Sequence, residues 1–249
     1  MAEAALGGAL TRLPATGAAD TLLLDGPAGA IETLVAMPAA APAGIAVVCH
    51  PHPLHGGALT NKVTYTLASC ALKAGLVAAR FNFRGVGRSA GRHDEGRGET
   101  EDTLAVVAWL RAQVPGAALL LAGFSFGAFV SLKAAARARP ALQVSIAPPF
   151  KYFENEPLPP RPAAPWLVVH GRDDEVVDYA GAQAVLDRYD PPPELVTLDG
   201  VGHFFHGRLG DLEAAVSAFI QRQWPSVGPA PGGRGDALSS DHPTGRFHA

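Results

Sequence analysis

Gly123-Phe124-Ser125-Phe126-Gly127 decides how this chain is read. An apolar run from Ala117 to Ala122 precedes it and reads as a buried strand, while Ala128, Val130, Leu132, Lys133 and Ala134 follow in a helix-like stretch. G-x-S-x-G between strand and helix describes a turn so sharp that the serine stands strained at its tip. The glycines on either side leave room where any side chain would collide with neighbouring backbone. Such a turn presents the hydroxyl at a helix N-terminus, where partial positive charge favours a developing anion.

A serine hydroxyl is too weak an acid to attack a carbonyl unaided. It requires a base, most often histidine, and a carboxylate that fixes the histidine tautomer. In a sheet built from alternating strands and helices, these groups sit at the carboxyl ends of strands in the order serine, acid, histidine. After the apolar run Trp166 to His170 comes Gly171-Arg172-Asp173-Asp174-Glu175, and after Glu194 to Leu198 comes Gly200-Val201-Gly202-His203-Phe204. Asp174 is assigned as the acid and His203 as the base, with Asp173 and His206 as the alternatives. Asp173, Asp174 and Asp178 also qualify as caps for the helix that follows.

An oxyanion hole needs two backbone N–H groups, one from the residue after the nucleophile and one from the loop after an earlier strand. Phe126 supplies the first. The loop His50-Pro51-His52-Pro53-Leu54-His55-Gly56-Gly57 follows the apolar run Ile45 to Cys49, and its prolines carry no N–H, which leaves His52 as the second donor with Leu54 behind it. The histidines at 50, 52 and 55 also raise a zinc reading. The prolines make three convergent rings hard to build, so neither a metal nor a cofactor is expected, and His50 is expected to pack inside and hold the loop.

The remaining chain alternates in the same way. Thr21 to Asp25 and Ile31 to Met37 flank Gly26-Pro27-Ala28-Gly29 and read as an edge hairpin. Asn61 is a plausible N-cap for a helix ending at Gly75, followed by a strand from Leu76 to Phe83. Arg84 to Gly91 lacks the P-loop signature and reads as a charge-paired turn, pinned by Asp102 and Glu99 through Arg84 or Arg88. Helices are expected over Glu99 to Gln113, Tyr179 to Tyr189 and Arg208 to Trp224, and a strand over Ala141 to Ile146. The alternation implies a mostly parallel twisted sheet covered by helices on both faces. Residues 1–20 are expected to be flexible, residues 21–224 to form the folded domain, and residues 225–249, rich in Pro, Gly, Ser and Asp, to be a disordered tail.

With 48% hydrophobic and 17% charged residues the chain is globular, and a net charge of −3 with scattered basic residues gives no footprint for nucleic acid or an anionic membrane. Cys49 and Cys70 are the two cysteines, set in apolar surroundings, and no leader-like or membrane-spanning stretch is visible. A cytoplasmic protein is expected, with its oligomeric state left open.

The chain resembles α/β-hydrolase-fold serine hydrolases, and within them the small bacterial hydrolases and carboxylesterases that lack a lid. The resemblance rests on His50-Pro51-His52-Pro53, Gly56-Gly57, Asn61-Lys62-Val63, the run Arg80 to Ser89 and Gly123 to Gly127, and it covers about Leu22 to Trp224. It implies the α/β-hydrolase fold, with the nucleophile on Ser125, the acid on Asp174 through H-G-x-x-D, and the base on His203. Serine at 125 separates the chain from branches of that fold that use aspartate or cysteine there. The implied reaction is hydrolysis of a small-molecule carboxylic ester through an acyl-enzyme. Amide, thioester or carbon–carbon cleavage, acyl transfer and a non-catalytic binding role are the alternatives. Larger relatives carry a helical cap after the sixth strand, whereas here only Ala147 to Pro165 is available. The site is therefore expected to be shallow, open and suited to short acyl groups, with Leu54, Phe150 and Phe204 contacting substrate and Phe124, Phe126 and Phe153 adding to its walls.

Overall fold

The computed structural model describes residues 12–224. Segments 1–11 and 225–249, which hold the expected tail, lie outside the described residues. Among the described residues, eight strands form one sheet in the order β1-β2-β4-β3-β5-β6-β7-β8. The strands are β1 (Ala19–Gly26), β2 (Gly29–Ala36), β3 (Gly44–Cys49), β4 (Leu76–Phe81), β5 (Leu119–Phe124), β6 (Leu142–Ile146), β7 (Trp166–Gly171) and β8 (Glu194–Leu198). β1 and β2 form the expected antiparallel hairpin, β2 joins β4 antiparallel, and every pairing from β4 through β8 is parallel. The first strand begins earlier than expected. Ala19 pairs with Ala36, and Gly17 N–H still donates to Pro38 O at 3.0 Å, so the ladder reaches into the stretch read as loose.

Among the described residues, five α-helices cover the sheet: α1 (Lys62–Lys73), α2 (Arg97–Gln113), α3 (Phe126–Ala138), α4 (Tyr179–Leu186) and α5 (Leu209–Gln223). Side chains alternate along β3. Ile45, Val47 and Cys49 enter the core shared with α2, α3 and α4, whereas Ala46 and Val48 enter the core shared with α1 and α5. A strand buried on both faces therefore reads as an unbroken apolar run. Asn61 caps α1 as expected, its Oδ1 accepting from Val63 N–H at 2.9 Å and Thr64 N–H at 3.2 Å. Among the described residues, no helix is long and apolar enough to cross a membrane.

Two buried polar anchors fix the loops that leave the sheet. Arg84 forms a bidentate pair with Asp102, at 3.0 Å from Nε and 2.8 Å from Nη2, and its backbone N–H donates to the same carboxylate at 3.1 Å. Arg88 goes elsewhere, to Glu32, while Glu99 accepts the Asp94 and Gly96 N–H groups. The expected pinning is thus made by Asp102 and Arg84 alone, because the hairpin brings Glu32 beneath Arg88. His50, buried at the end of β3, donates from Nδ1 to Pro51 O at 2.6 Å and accepts Phe83 N–H on Nε2 at 3.0 Å. It clamps the exits of β3 and β4 together. Burial pushes its imidazole down to about 4.

Removing Asp102 leaves a guanidinium with only 13% of its side chain exposed and no partner. Asp102→Ala is expected to cost about 3 kcal/mol, read as a lowered urea midpoint, and an unchanged midpoint contradicts the pinning. His50 stays neutral in the fold down to about pH 4, whereas an unfolded histidine takes up its proton near pH 6.5. The unfolded state therefore binds more protons between those values, and stability must fall as pH drops through that window, by up to about 1.4 kcal/mol per pH unit from this residue. Urea midpoints across the window check this, and a flat profile contradicts a buried neutral His50.

Candidate active site

β4 and β5 lie on opposite sides of β3, so the chain leaves the carboxyl ends of β3 and β5 in diverging directions. Open parallel sheets form their binding crevice at such a switch point. Here it receives the His50–Gly57 loop from one strand and Ser125 from the other. Ser125 has φ 53° and ψ −122°, a left-handed conformation that costs a serine about 1–3 kcal/mol. A Cβ on Gly123 would stand 2.1 Å from Gly127 O, and one on Gly127 would stand 2.4 Å from His50 O and 2.5 Å from Cys49 O. Both glycines are thus required by backbone passing against backbone. Ser125 N–H donates to Ile146 O at 2.8 Å, which ties the turn to β6. Phe126 is the first residue of α3, so its N–H has no partner within the helix.

The three residues read from separate loops meet at this turn. His203 Nε2 lies 3.0 Å from Ser125 Oγ, and His203 Nδ1 lies 2.8 Å from Asp174 Oδ2. An ionised carboxylate only accepts, so Nδ1 carries the proton and Nε2 faces the serine as an acceptor. Asp174 Oδ1 accepts Val176 N–H at 2.9 Å and Val177 N–H at 2.7 Å. Burial opposes its charge, but hydrogen bonds from His170, His203 and the Val177 N–H outweigh it and hold the carboxyl well below the usual carboxylate range. Asp173 and His206 are exposed and stand apart from the serine, while Asp178 caps α4 by accepting Gly181 N–H at 2.7 Å.

Two contacts around this group escaped the sequence reading. His170 Nε2 sits 3.3 Å from Asp174 Oδ2 and 3.1 Å from Val177 O, fully buried beneath the acid. The histidine of H-G-x-x-D was the signal for it, hidden by its place at the end of an apolar strand. Glu175 Oε2 accepts His203 N–H at 3.1 Å and so holds the histidine loop by its backbone.

On the other side of the serine, His52 opens a short 3-10 turn, Pro53–His55. Its Nδ1 accepts Leu54 N–H at 3.2 Å, which uses up the second donor considered for the oxyanion hole. Its Nε2 then donates to Tyr152 Oη at 3.0 Å, and the Tyr152 hydroxyl donates in turn to Glu95 Oε2 at 2.8 Å. Burial, with His55 and His93 nearby, pushes the His52 imidazole down to about 4, consistent with an accepting Nδ1. Among the described residues, no protein acceptor engages the backbone N–H of His52 or Phe126. His50 is turned inward and His52 is committed to Tyr152. Among the described residues, no group of three or more His, Cys, Asp or Glu side chains is arranged to hold a metal ion.

A cleft of about 720 Å³ opens from Ser125. Phe126, Phe129, Phe150 and Phe153 form one wall, with Phe129 and Phe153 stacked at 3.8 Å, and Val177, Ala182 and Val185 form the other. This corrects the expectation of a shallow site. No helical cap is present among the described residues, but the 147–165 segment turns back through a 3-10 turn, Phe150–Phe153, and stands its aromatic rings between α3 and α4. Phe150 lines the cleft as expected, whereas Leu54 and Phe204 do not. Leu54 points outward and is 69% exposed, and Phe204 sits edge-on to His203, 5.1 Å between centroids. Phe124 packs beneath the His203 ring at 4.9 Å and does not reach the cleft.

Residues 25–150 match the family model described as X-Pro dipeptidyl-peptidase (S15 family). A protein of Rickettsia prowazekii, named only as uncharacterized, is 32% identical over 80% of this chain and 87% of its own length. The solved structure of a Xanthomonas campestris protein, described as an α/β serine hydrolase without a lid, is 40% identical with a TM-score of 0.82, covering 88% of this chain and 100% of that one. An α/β serine hydrolase homologue from Coxiella burnetii is 41% identical with a TM-score of 0.76, covering 81% of this chain and 97% of the other. The eight-stranded sheet, the absence of a cap among the described residues and these matches agree, and the chain belongs to the S15 family of α/β serine hydrolases.

Proposed function

We propose that the protein hydrolyses carboxylic esters through an acyl-enzyme formed on Ser125, with His203 as general base and acid, Asp174 as its orienting carboxylate, and the N–H groups of His52 and Phe126 as the oxyanion hole. The observation that carries this reading is the continuous line from Asp174 Oδ2 through His203 to Ser125 Oγ, at 2.8 Å and 3.0 Å. His203 Nε2 takes the hydroxyl proton as Ser125 Oγ attacks the carbonyl carbon. The carbonyl oxygen becomes an oxyanion beside two N–H groups and the positive end of α3, where preorganised dipoles act strongly. His203 then delivers the proton to the departing alcohol. Water, deprotonated by the same imidazole, attacks the acyl-enzyme and releases the acid.

The family description favours one second reading, cleavage of a peptide amide after proline. A dipeptidyl-peptidase has to hold the free ammonium of its substrate with a carboxylate near the serine. Of the carboxylates along the cleft, Glu154 and Asp178 are exposed and Glu156 is paired with Lys133. The ester reading therefore stands first.

Wild-type protein is expected to hydrolyse p-nitrophenyl esters, and Ser125→Ala to lose that turnover by a factor on the order of 10⁴ or more while keeping its urea midpoint. Equal rates in the two proteins contradict a serine nucleophile. Asp174→Asn tests the second link. Its amide would keep an acceptor for Val176 and Val177 N–H and turn a donor toward His203 Nδ1, which forces the wrong tautomer. The expected loss in kcat is on the order of 10³–10⁴-fold, measured by steady-state kinetics, and a loss under tenfold contradicts the assigned role.

A further inference from the structure

Resting on the ester reading above, we propose that the cleft is the acyl subsite, and that preferred substrates carry a medium-chain or aryl acyl group while the alcohol is weakly selected.

The argument is one of sides. Three substituents leave the reacting carbonyl carbon, and each has an assigned neighbour. The oxygen lies between the His52 and Phe126 N–H groups. The alcohol oxygen must lie against His203 Nε2, which returns the proton to it. The acyl substituent takes the remaining direction. The cleft is lined by Ser125, His52 and Phe126, and by neither His203 nor Phe204. The group inside it is therefore the one that remains on the serine. The alcohol departs past His203, whose neighbour Phe204 is 45% exposed and close to solvent.

The chemistry of the walls sets the class of acyl group. Phe126, Phe129, Phe150, Phe153, Val177 and Ala182 are all buried core residues presenting carbon to the cleft. Of the charged side chains that also line it, Lys151, Glu154, Asp178 and Arg188 are exposed and Glu156 is paired with Lys133. A volume of about 720 Å³ belongs with clefts that enclose ligands of drug size, roughly 300–1,000 Å³. An acetyl group would leave most of that apolar wall wet. Each further methylene buried in the transition state is worth about a fourfold gain in kcat/KM.

The test is a series of p-nitrophenyl acetate, butyrate and octanoate, which share one leaving group. kcat/KM is expected to rise along the series, with octanoate at least about tenfold above acetate. Val185→Trp, which adds bulk at a residue lining the cleft, is expected to lower the octanoate-to-acetate ratio about tenfold. Leu158→Trp narrows the same cleft and serves if the first variant does not fold. Octanoate esters of small and bulky alcohols with matched leaving-group acidity are expected to differ by less than about threefold. Acetate as the best substrate, or a Val185→Trp ratio equal to wild type, overturns the acyl subsite. Folded protein that turns over none of the esters removes the hydrolase reading beneath it, and that result is distinct from a reversed chain-length order.

Discussion

Backbone packs directly on backbone where the end of β3 meets the start of α3. The carbonyls of Cys49 and His50 stand so close to Gly127 that a methyl group there would overlap both, and Gly123 faces Gly127 in the same way. That contact forces the sharp turn, lifts Ser125 into a positive φ and starts α3 at the next residue, Phe126. It also brings the His52 loop alongside Phe126, since the residues being crowded belong to the exit of β3. The placement of Ser125 and of the Phe126 and His52 N–H groups beside it is a consequence of one steric arrangement, held at the centre of the sheet.

The other side of the site is assembled by charge. Asp174 is buried among donors, namely two backbone N–H groups and two histidines, which keep it ionised despite the cost of burial. A carboxylate so fixed sets the His203 tautomer, and Glu175 holds the backbone from which His203 projects. The His52 ring, in contrast, is kept neutral by burial and passes a hydrogen bond through Tyr152 to Glu95. The His50–Gly57 loop is thereby joined to the segment that walls the cleft.

Much of this was legible in the sequence, for reasons specific to a parallel sheet. Strand direction fixes which loops share an edge, so Ser125, Asp174 and His203 follow from their places after β5, β7 and β8. The glycines around Ser125 carry their meaning locally. What was not legible depends on distant segments finding each other. Tyr152 and Glu95 lie 57 positions apart in stretches without periodicity, and Arg88 takes Glu32 from a hairpin 56 residues upstream. The depth of the cleft was missed because the proline-rich 147–165 segment has no pattern that reveals how it folds back. Its phenylalanines were recognised, but the enclosure they make with α4 arises only from the packed fold.

The measurement that bears most directly on this account is intact-mass and peptide mapping after treatment with a fluorophosphonate, which reacts only with an activated serine. Stoichiometric modification of Ser125, lost in His203→Ala while that variant remains folded, is the result the geometry requires. A folded wild-type protein that stays unmodified, or is modified at another serine, contradicts it.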